Sequence, residues 1–421
     1  MKFLHLADLH IGKYINAYQM IEDQEYALSQ ALEYARTHKP DAVLISGDIY
    51  DRSVPPPDAV RAFDRFLTSM SALGPVIAIV SGNHDSPERL SFASDIIKSS
   101  DIHIYGVFDG NMKCVPLRDE YGEVRLYLLP YIKPSDVRRY LADDSPTRVE
   151  SYQDAVSAII RDAGIDTSVR NILIAHQYFA SEGLDPERSE SEREIVGGVD
   201  RVDVAECGVA GLFDYAALGH LHGPQRVGAE HVRYAGSLLK YSFSECNHKK
   251  AVLLVEIKEK NDLTVTALPI VPLRDMRRIS GALADLTGEK ARAAAGNADY
   301  LHITLTDEEE IYDARGKLLT VYPNLMQLSF DNARTNADFD FGVDEEAWRA
   351  PPIAQFDEFY RIQNGVGLND WQYKVIAGFL NPESDIAFEI ETALETALET
   401  EDNANTHENA ESLAAAPEGA T

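Results

Sequence analysis

The stretch Asp41-Ala42-Val43-Leu44-Ile45-Ser46-Gly47-Asp48-Ile49-Tyr50-Asp51-Arg52 (residues 41–52) sets the pattern on which the fold is read. Ala42 to Ser46 is a short, almost wholly apolar run, as expected of a strand covered on both faces. The glycine after it permits a tight turn, so Asp48 projects above the end of a sheet. Working outward, the layout recurs. Phe3 to Ala7 runs into Asp8-Leu9-His10, and Val76 to Val80 into Gly82-Asn83-His84-Asp85. Ile172 to Ala175 runs into His176, and Ala216 to Leu218 into Gly219-His220-Leu221-His222, while Leu126 to Pro130 is one more buried strand. Open α/β sheets place their ligands at such strand ends.

Helical patterns lie between the strands. Glu22 to His38 carries Tyr26, Leu28, Leu32 and Ala35 at helix spacing, and Ala59 to Leu73 carries Val60, Phe63, Phe66, Leu67 and Met70. An α/β layered domain over residues 1–270 is the expectation. Past Pro269 to Pro272 the pattern changes to a smaller α+β unit, residues 271–345. It reads as a helix Leu283 to Ala295, a strand Tyr300 to Thr306, a helix Ile311 to Val321 and a strand Leu325 to Phe330. Pro351-Pro352 then introduces a pair of short amphipathic helices, residues 350–381, bearing Phe356, Phe359, Tyr360, Leu368, Trp371, Val375 and Phe379. Such a pair either packs on the body or receives a partner helix. Residues 382–421 read as an acidic, disordered tail: 11 Asp and Glu and no Lys or Arg lie beyond Asn381.

Over 421 residues, 69 Asp and Glu against 39 Lys and Arg give a net charge of −30, which argues against a nucleic-acid binder of the basic-groove type. Hydrophobic residues at 45% and charged residues at 26% are the mark of a globular chain. Cys114, Cys207 and Cys246 show no CxxC spacing, so neither a disulfide framework nor a cysteine zinc site is expected. Asp8 interrupts the first apolar run too early for a signal peptide, and no run of 18 apolar residues follows. A soluble, cytoplasmic protein is expected, with no membrane association. No Gly-x-x-x-x-Gly-Lys loop occurs, so any ATP dependence would come from a partner.

The strand ends assemble a set of metal ligands. In Asp8-Leu9-His10, positions i and i+2 of an extended chain share a face, so a carboxylate and an imidazole converge on one cation. With Asp48, Asn83, His176, His220 and His222 the inventory is two carboxylates, one amide and four imidazoles. That is too many for one tetrahedral zinc. It suits two ions roughly 3.5 to 4 Å apart bridged by a carboxylate, as in two-metal phosphoester hydrolysis. Manganese, iron and zinc all accept such mixed ligation. His84 is not needed as a ligand and is the candidate general acid, or an imidazolium facing the scissile phosphate, with Asp51 or Asp85 holding its other ring nitrogen. Asp85 reads equally as a turn or capping residue before Pro87. Arg52 either clamps a phosphate oxygen or pairs with a surface acid, and Lys240 either touches a nucleic-acid backbone or is a solvated surface charge.

Taken in order, D-x-H, G-D-x-x-D, G-N-H-[DE], H and G-H-x-H resemble the calcineurin-like metallophosphoesterase pattern. Within it, Asp48 to Pro55, Ser189 to Gly198, Tyr215 to Arg226 and Tyr234 to Lys250 resemble the SbcD-type DNA repair nuclease subunits, over residues 1–380 and most strongly 1–257. The resemblance implies an α/β two-sheet sandwich flanked by helices, a small capping domain that helps present DNA, and a C-terminal helical pair. That pair would dock on the base of an SbcC-type coiled-coil ATPase through Phe356, Phe359, Tyr360 and Trp371. It further implies one ion on Asp8, His10, Asp48 and His222, a second on Asp48, Asn83, His176 and His220, and His84 as the catalytic histidine. Manganese, a homodimer and ATP-controlled exonuclease and hairpin endonuclease activity in DNA repair, recombination and replication belong to the same expectation. Leu9 and Leu238 stand where many relatives have Trp and Pro. Asp51 stands near a histidine of archaeal relatives, and a pairing of Asp51 with His84 is the substitute. Two rivals remain: a stand-alone metal-dependent phosphatase, whose ligands would be the same, and a catalytically silent scaffold.

Overall fold

The computed structural model describes residues 1–141, 148–181, 185–192, 200–294, 296–332, 351–364 and 366–380. The acidic tail and residues 193–198 of the segment Ser189 to Gly198 lie outside them. From the N-terminus run β1 (Lys2–Leu6), α1 (Ile21–His38), β2 (Ala42–Ser46), α2 (Pro57–Ser71), β3 (Val76–Val80), β4 (Ile102–Tyr105), β5 (Lys113–Asp119) and β6 (Gly122–Leu129). There follow α3 (Tyr152–Asp162), β7 (Arg170–His176), β8 (Tyr215–Gly219), β9 (Gln225–Val227), β10 (Ala229–Tyr234), β11 (Ala251–Ile257) and β12 (Leu263–Pro269).

These strands form two six-stranded sheets, ordered β12-β11-β1-β2-β3-β4 and β9-β10-β8-β7-β6-β5. In each the central strands are parallel, so their C-terminal ends, which carry the polar motifs, lie along one edge. Alternation explains the layering. Phe3, Ala42, Leu44, Ala78 and Val80 join Leu126, Ile172, Ile174 and Ala217 in a core between the sheets. The intervening Leu4, Leu6, Val43, Ile45, Ile77 and Ile79 face Ala27, Leu28 and Ala31 of α1 and Phe63, Phe66 and Met70 of α2. Strands buried on both faces therefore lose their alternation in sequence, as β2 does. The fold is the expected α/β two-sheet sandwich.

One buried polar link crosses between the sheets. Ser46 Oγ donates to the Ala217 carbonyl (2.9 Å) and lies 3.2 Å from His5 Nε2, while His5 Nδ1 is 2.9 Å from the Tyr215 hydroxyl. Burial pushes the His5 imidazole down to about 3, so it stays neutral and one ring nitrogen accepts while the other donates. At the other end of the sandwich, Arg170 forks onto Asp119 and donates to the carbonyls of Gly122 and Lys258.

The chain divides into two compact units: residues 1–280, 284–303 and 315–328, and residues 281–283, 304–314 and 329–421. A three-stranded sheet in the order β13 (Met276–Gly281), β14 (Tyr300–Leu305), β15 (Leu325–Phe330) follows the sandwich in sequence. The helix expected over Leu283 to Ala295 is two, Leu283–Thr287 and Glu289–Ala293, because Gly288 between them is extended (ψ 171°). The one expected over Ile311 to Val321 covers only Ala314–Leu319. In the second unit, α4 (Pro352–Asn364) and α5 (Asp370–Leu380) are tied by Leu368 N donating to Asp357 Oδ1 (2.6 Å) and Gln372 Nε2 to the Tyr360 hydroxyl (3.0 Å). Phe356 and Tyr360 are half-buried, whereas Phe359 and Trp371 are exposed. Among the described residues no helix is long and apolar enough to cross a membrane, and no two cysteines are bonded to each other.

Candidate metal centre

The seven expected ligands come together at one edge of the sandwich, and the backbone is bent to bring them there. Asp8, His10, Asp48 and His220 all have positive φ (52°, 44°, 50° and 113°). Non-glycine residues take this conformation rarely, and it persists where surrounding bonds enforce it. Here Asp8 N donates to the Gly47 carbonyl (3.1 Å), His10 N to Asp48 O (2.9 Å) and His220 N to Asp8 Oδ1 (2.9 Å), which lace the loops after β1, β2 and β8 together. Two glycines leave room: a Cβ on Gly82 would lie 2.0 Å from Asp48 Oδ1, and one on Gly219 1.8 Å from the Ser46 carbonyl.

Asp48 sits in the middle. Its Oδ2 lies 3.6 Å from His10 Nε2 and 3.4 Å from His176 Nε2, and its Oδ1 accepts from His84 N (2.9 Å). On one side His10 Nε2 and His222 Nε2 face each other at 3.0 Å, with Asp8 beside them. On the other, Asn83 Oδ1 lies 3.0 Å from His176 Nε2 and 3.1 Å from His220 Nδ1. All these ligands but Asn83, which is half-buried, are buried.

The donor set fits cations. Asp8 Oδ2 and His10 Nδ1 are buried without a hydrogen-bond partner, a costly state that bound cations would relieve. Burial holds the imidazoles of His10, His220 (down to about 3) and His222 below their ordinary range, hence neutral, as ligation requires. Burial also opposes ionisation of Asp48, but the imidazoles of His176 and His10 hold its carboxyl well below the usual range. Burial raises Asp8. His176, although buried, is held up at about 9 by Asp48 and Asp8, so a proton there carries the positive charge that a cation would supply.

Outer contacts orient the rings. His176 Nδ1 donates to the Ser46 carbonyl (2.8 Å), leaving Nε2 for the site. His222 Nδ1 donates to Ser191 Oγ (2.7 Å), which donates in turn to Glu245 Oε1 (2.5 Å). Glu245 Oε2 takes the Lys250 ammonium (2.5 Å), which also reaches the His222 carbonyl (2.8 Å) and Ser237 Oγ (2.9 Å). Glu192 Oε1 accepts from His222 N (2.7 Å), and Gln24 of α1 holds the His10 carbonyl (2.7 Å). Sequence reasoning gave Ser191, Glu192, Gln24, Glu245 and Lys250 no role at the centre.

The structure also separates the roles expected of Asp51 and Asp85. His84 Nδ1 lies 3.0 Å from the Asp51 backbone carbonyl, not from its carboxylate. The carboxylate expected to pair with His84 instead takes Lys13 Nζ (2.6 Å), with His10 Nδ1 at 3.8 Å and Arg52 Nε at 3.6 Å. The reason is local: the loop after β2 turns the Asp51 carbonyl toward His84 and its side chain toward Lys13. Asp85 accepts from the backbone N–H groups of Ile49, Tyr50 and Gly82 (3.1, 3.0 and 2.9 Å), so it is the turn residue that fastens two ligand loops together. Arg52 is exposed. Lys240 Nζ is held by Asp275 Oδ1 (2.8 Å).

Residues 1–224 match the family model described as calcineurin-like phosphoesterase, and residues 272–364 match a model described as type 5 capsule protein repressor C-terminal domain. A curated relative, the SbcD subunit of the nuclease SbcCD from Staphylococcus epidermidis, is 34% identical over 333 residues, 78% of this chain and 85% of the relative. The chain belongs to the SbcD family. Its N-terminal domain is accordingly a metallophosphoesterase domain, a class that uses divalent metals. Two crystal structures, one of a Thermus thermophilus protein and one of a dimetal phosphatase from Danio rerio, align with a TM-score of 0.38 each. They share 15% and 14% identity, over 63% and 64% of this chain and 98% and 96% of theirs.

Proposed function

We propose that the chain is the DNA-cleaving subunit of an SbcC-SbcD type complex, hydrolysing phosphodiester bonds as an exonuclease and as an endonuclease at hairpins and ends. The observation that carries this reading is Asp48 Oδ2, set between His10 Nε2 and His176 Nε2 so that one carboxylate serves two adjoining sets of donors. Asp8, His10, Asp48 and His222 would hold one divalent ion, and Asp48, Asn83, His176 and His220 the other, with manganese the expected metal. When bound, two such ions make water a nucleophile near neutral pH and draw charge from the phosphate.

The chain's own residues do the rest. The Asp51 carbonyl accepts from His84 Nδ1–H and fixes the ring, leaving Nε2 to deliver a proton to the departing sugar oxygen. His84 is only half-buried, so a large substrate reaches it. Arg52, exposed and next in sequence to the Asp51 carbonyl that holds His84, is the candidate phosphate clamp, and Lys240 a candidate contact to the DNA backbone. Residues 1–270 form the nuclease domain in this reading, 271–345 the capping domain and 350–381 the partner-binding helices.

Exposed Phe359 and Trp371 favour docking of α4 and α5 on the coiled-coil base of an SbcC-type ATPase, with Phe356 and Tyr360 in the same surface. Phe92 and Ile96, 84% and 75% exposed, favour a homodimer. The proposed setting is cytoplasmic DNA repair, recombination and replication, with ATP control exerted by the partner. A net charge of −30 predicts weak DNA binding and a shallow salt dependence for this subunit alone. The test is manganese-dependent cleavage of blunt and hairpin duplexes, with and without the ATPase. Hydrolysis of a nucleotide monoester together with inert DNA under both conditions would replace this reading by a phosphatase.

A further inference from the structure

The donors of the metal centre are divided between the two sheets. Asp8, His10, Asp48 and Asn83 follow β1, β2 and β3 of the first sheet, whereas His176 ends β7 and His220 and His222 follow β8 of the second. In the proposed assignment one ion draws only His222 from the second sheet. The other draws His176 and His220 from it, and Asp48 and Asn83 from the first. How the sheets are set against each other therefore decides whether the donors meet, above all for that second ion.

The buried polar link between the sheets reaches this half directly. Ser46 is the last residue of β2, and its backbone carbonyl accepts from His176 Nδ1–H at 2.8 Å. Its hydroxyl gives its one proton to the Ala217 carbonyl of β8 (2.9 Å), so toward His5 Nε2 (3.2 Å) it accepts. That fixes the ring: Nε2 carries the proton, and Nδ1 accepts from the Tyr215 hydroxyl of β8 (2.9 Å). His5, Ser46 and Tyr215 are fully buried, in a layer that Phe3, Leu44 and Ile174 fill with apolar side chains. Apolar contacts tolerate sliding, whereas a fully satisfied hydrogen-bonded chain specifies one arrangement. There is little slack here. A Cβ on Gly219, which lies opposite His176 in the β7–β8 register, would come 1.8 Å from the Ser46 carbonyl.

We propose that His5 is a positioning residue for the metal centre: by joining Ser46 of β2 to Tyr215 of β8 it sets the spacing of the sheets at which His176 and His220 meet Asp48 and Asn83. It acts through Ser46 and not as a ligand. The inference rests on the two-ion reading and adds to it a residue that the ligand set does not contain.

The experiment titrates manganese into the metal-free full chain by isothermal calorimetry, with free ion counted from its six-line EPR signal. The proteins are wild type, His5→Phe, Ser46→Ala, the double variant, His5→Gln and Val156→Ala. Ser46→Ala keeps the carbonyl that holds His176 and carries the test if His5→Phe does not fold. Val156→Ala, a buried truncation in α3, lowers the thermal midpoint without touching the link. Wild type should take up two ions. His5→Phe and Ser46→Ala should each weaken one binding step about tenfold and leave the other nearly unchanged. The double variant should lose no more than either alone, because both changes break the same chain. His5→Gln, whose amide can still donate to Ser46 Oγ, should recover part of the loss, and Val156→Ala should bind both ions as wild type does. Unchanged binding in both single variants, additive losses in the double variant, or an equal loss in Val156→Ala would overturn the role of His5 and leave the two-ion reading standing. A wild type that takes up a single ion would overturn that reading, and this inference with it.

Discussion

His84 Nδ1 is held at 3.0 Å by the backbone carbonyl of Asp51. A carbonyl cannot take the proton from the ring, so it fixes the ring's orientation without competing for the Nδ1 proton. The identity of the side chain at position 51 therefore matters little to His84, and much more to what that side chain touches, Lys13 and His10.

Replacing His84 by Ala should lower turnover about 100- to 10,000-fold, the range for loss of a general acid. Bound metal, measured by elemental analysis after dialysis, should be unchanged, since the other donors keep their places. Normal cleavage by this variant would remove His84 from the mechanism.

Asp51→Asn keeps the backbone carbonyl that holds His84, so kcat at saturating metal should stay close to that of the wild type. What changes is the carboxylate 3.8 Å from His10 Nδ1. That nitrogen is bare as long as the Nε2 proton points at His222 and must carry the proton once Nε2 ligates. Loss of the negative charge beside it should raise the manganese concentration needed for half-maximal activity about tenfold, with activity recovering at saturation. A loss of kcat at saturating metal would return the Asp51 side chain to the chemistry.

Glu245 and Lys250 form a buried pair behind His222. Glu245→Ala removes one charge and leaves the other buried without its counter-charge, which costs ~3–5 kcal/mol, and it frees Ser191 to rotate away from His222. A lower denaturation midpoint and weaker metal retention should appear together. Glu245→Gln with Lys250→Met should recover stability but not metal retention, because the carboxylate that polarises the Ser191 hydroxyl is still missing. Recovery of both would mean that Glu245 serves packing alone.

The parts of this molecule that the sequence disclosed are those in which local chemistry conflicts with burial. Asp8, Asp48, His176 and His220 stand at the ends of runs so apolar that a solvated role is excluded, and their joint meaning survives without knowledge of the path between them. The two-sided burial of β2 and β3 is legible for the same reason, as continuous Val, Leu and Ile. Contacts made by backbone atoms or across long separations were not legible. The Asp51 carbonyl and the Asp51 carboxylate are the same letter, and only the turn after Ile49 decides which one meets His84. Ser191 reaches a histidine 31 residues away and a glutamate 54 away, and Lys250 looks like any other lysine after His248-Lys249. Gly288 ends a helix that the flanking alanines and leucines would otherwise continue.

The far end of the sandwich gives an acid-stability signature independent of the metal centre. The Arg170 guanidinium holds the Asp119 carboxyl well below its ordinary range, against a smaller opposing effect of burial. Asp119 thus binds its proton more weakly in the folded chain than in the unfolded one. Its contribution is fully present above the unfolded value of about 3.9 and is lost as pH falls from there toward the folded one. Asp119→Asn should therefore lower the thermal midpoint at pH 7 and flatten the decline below pH ~4, so that the two proteins converge in acid. Thermal melts from pH 7 down to pH 2.5, in EDTA to silence the metal centre, measure this difference. A gap that stays constant across that range would show that the clasp acts through its hydrogen-bond geometry to Gly122 and Lys258 and not through charge.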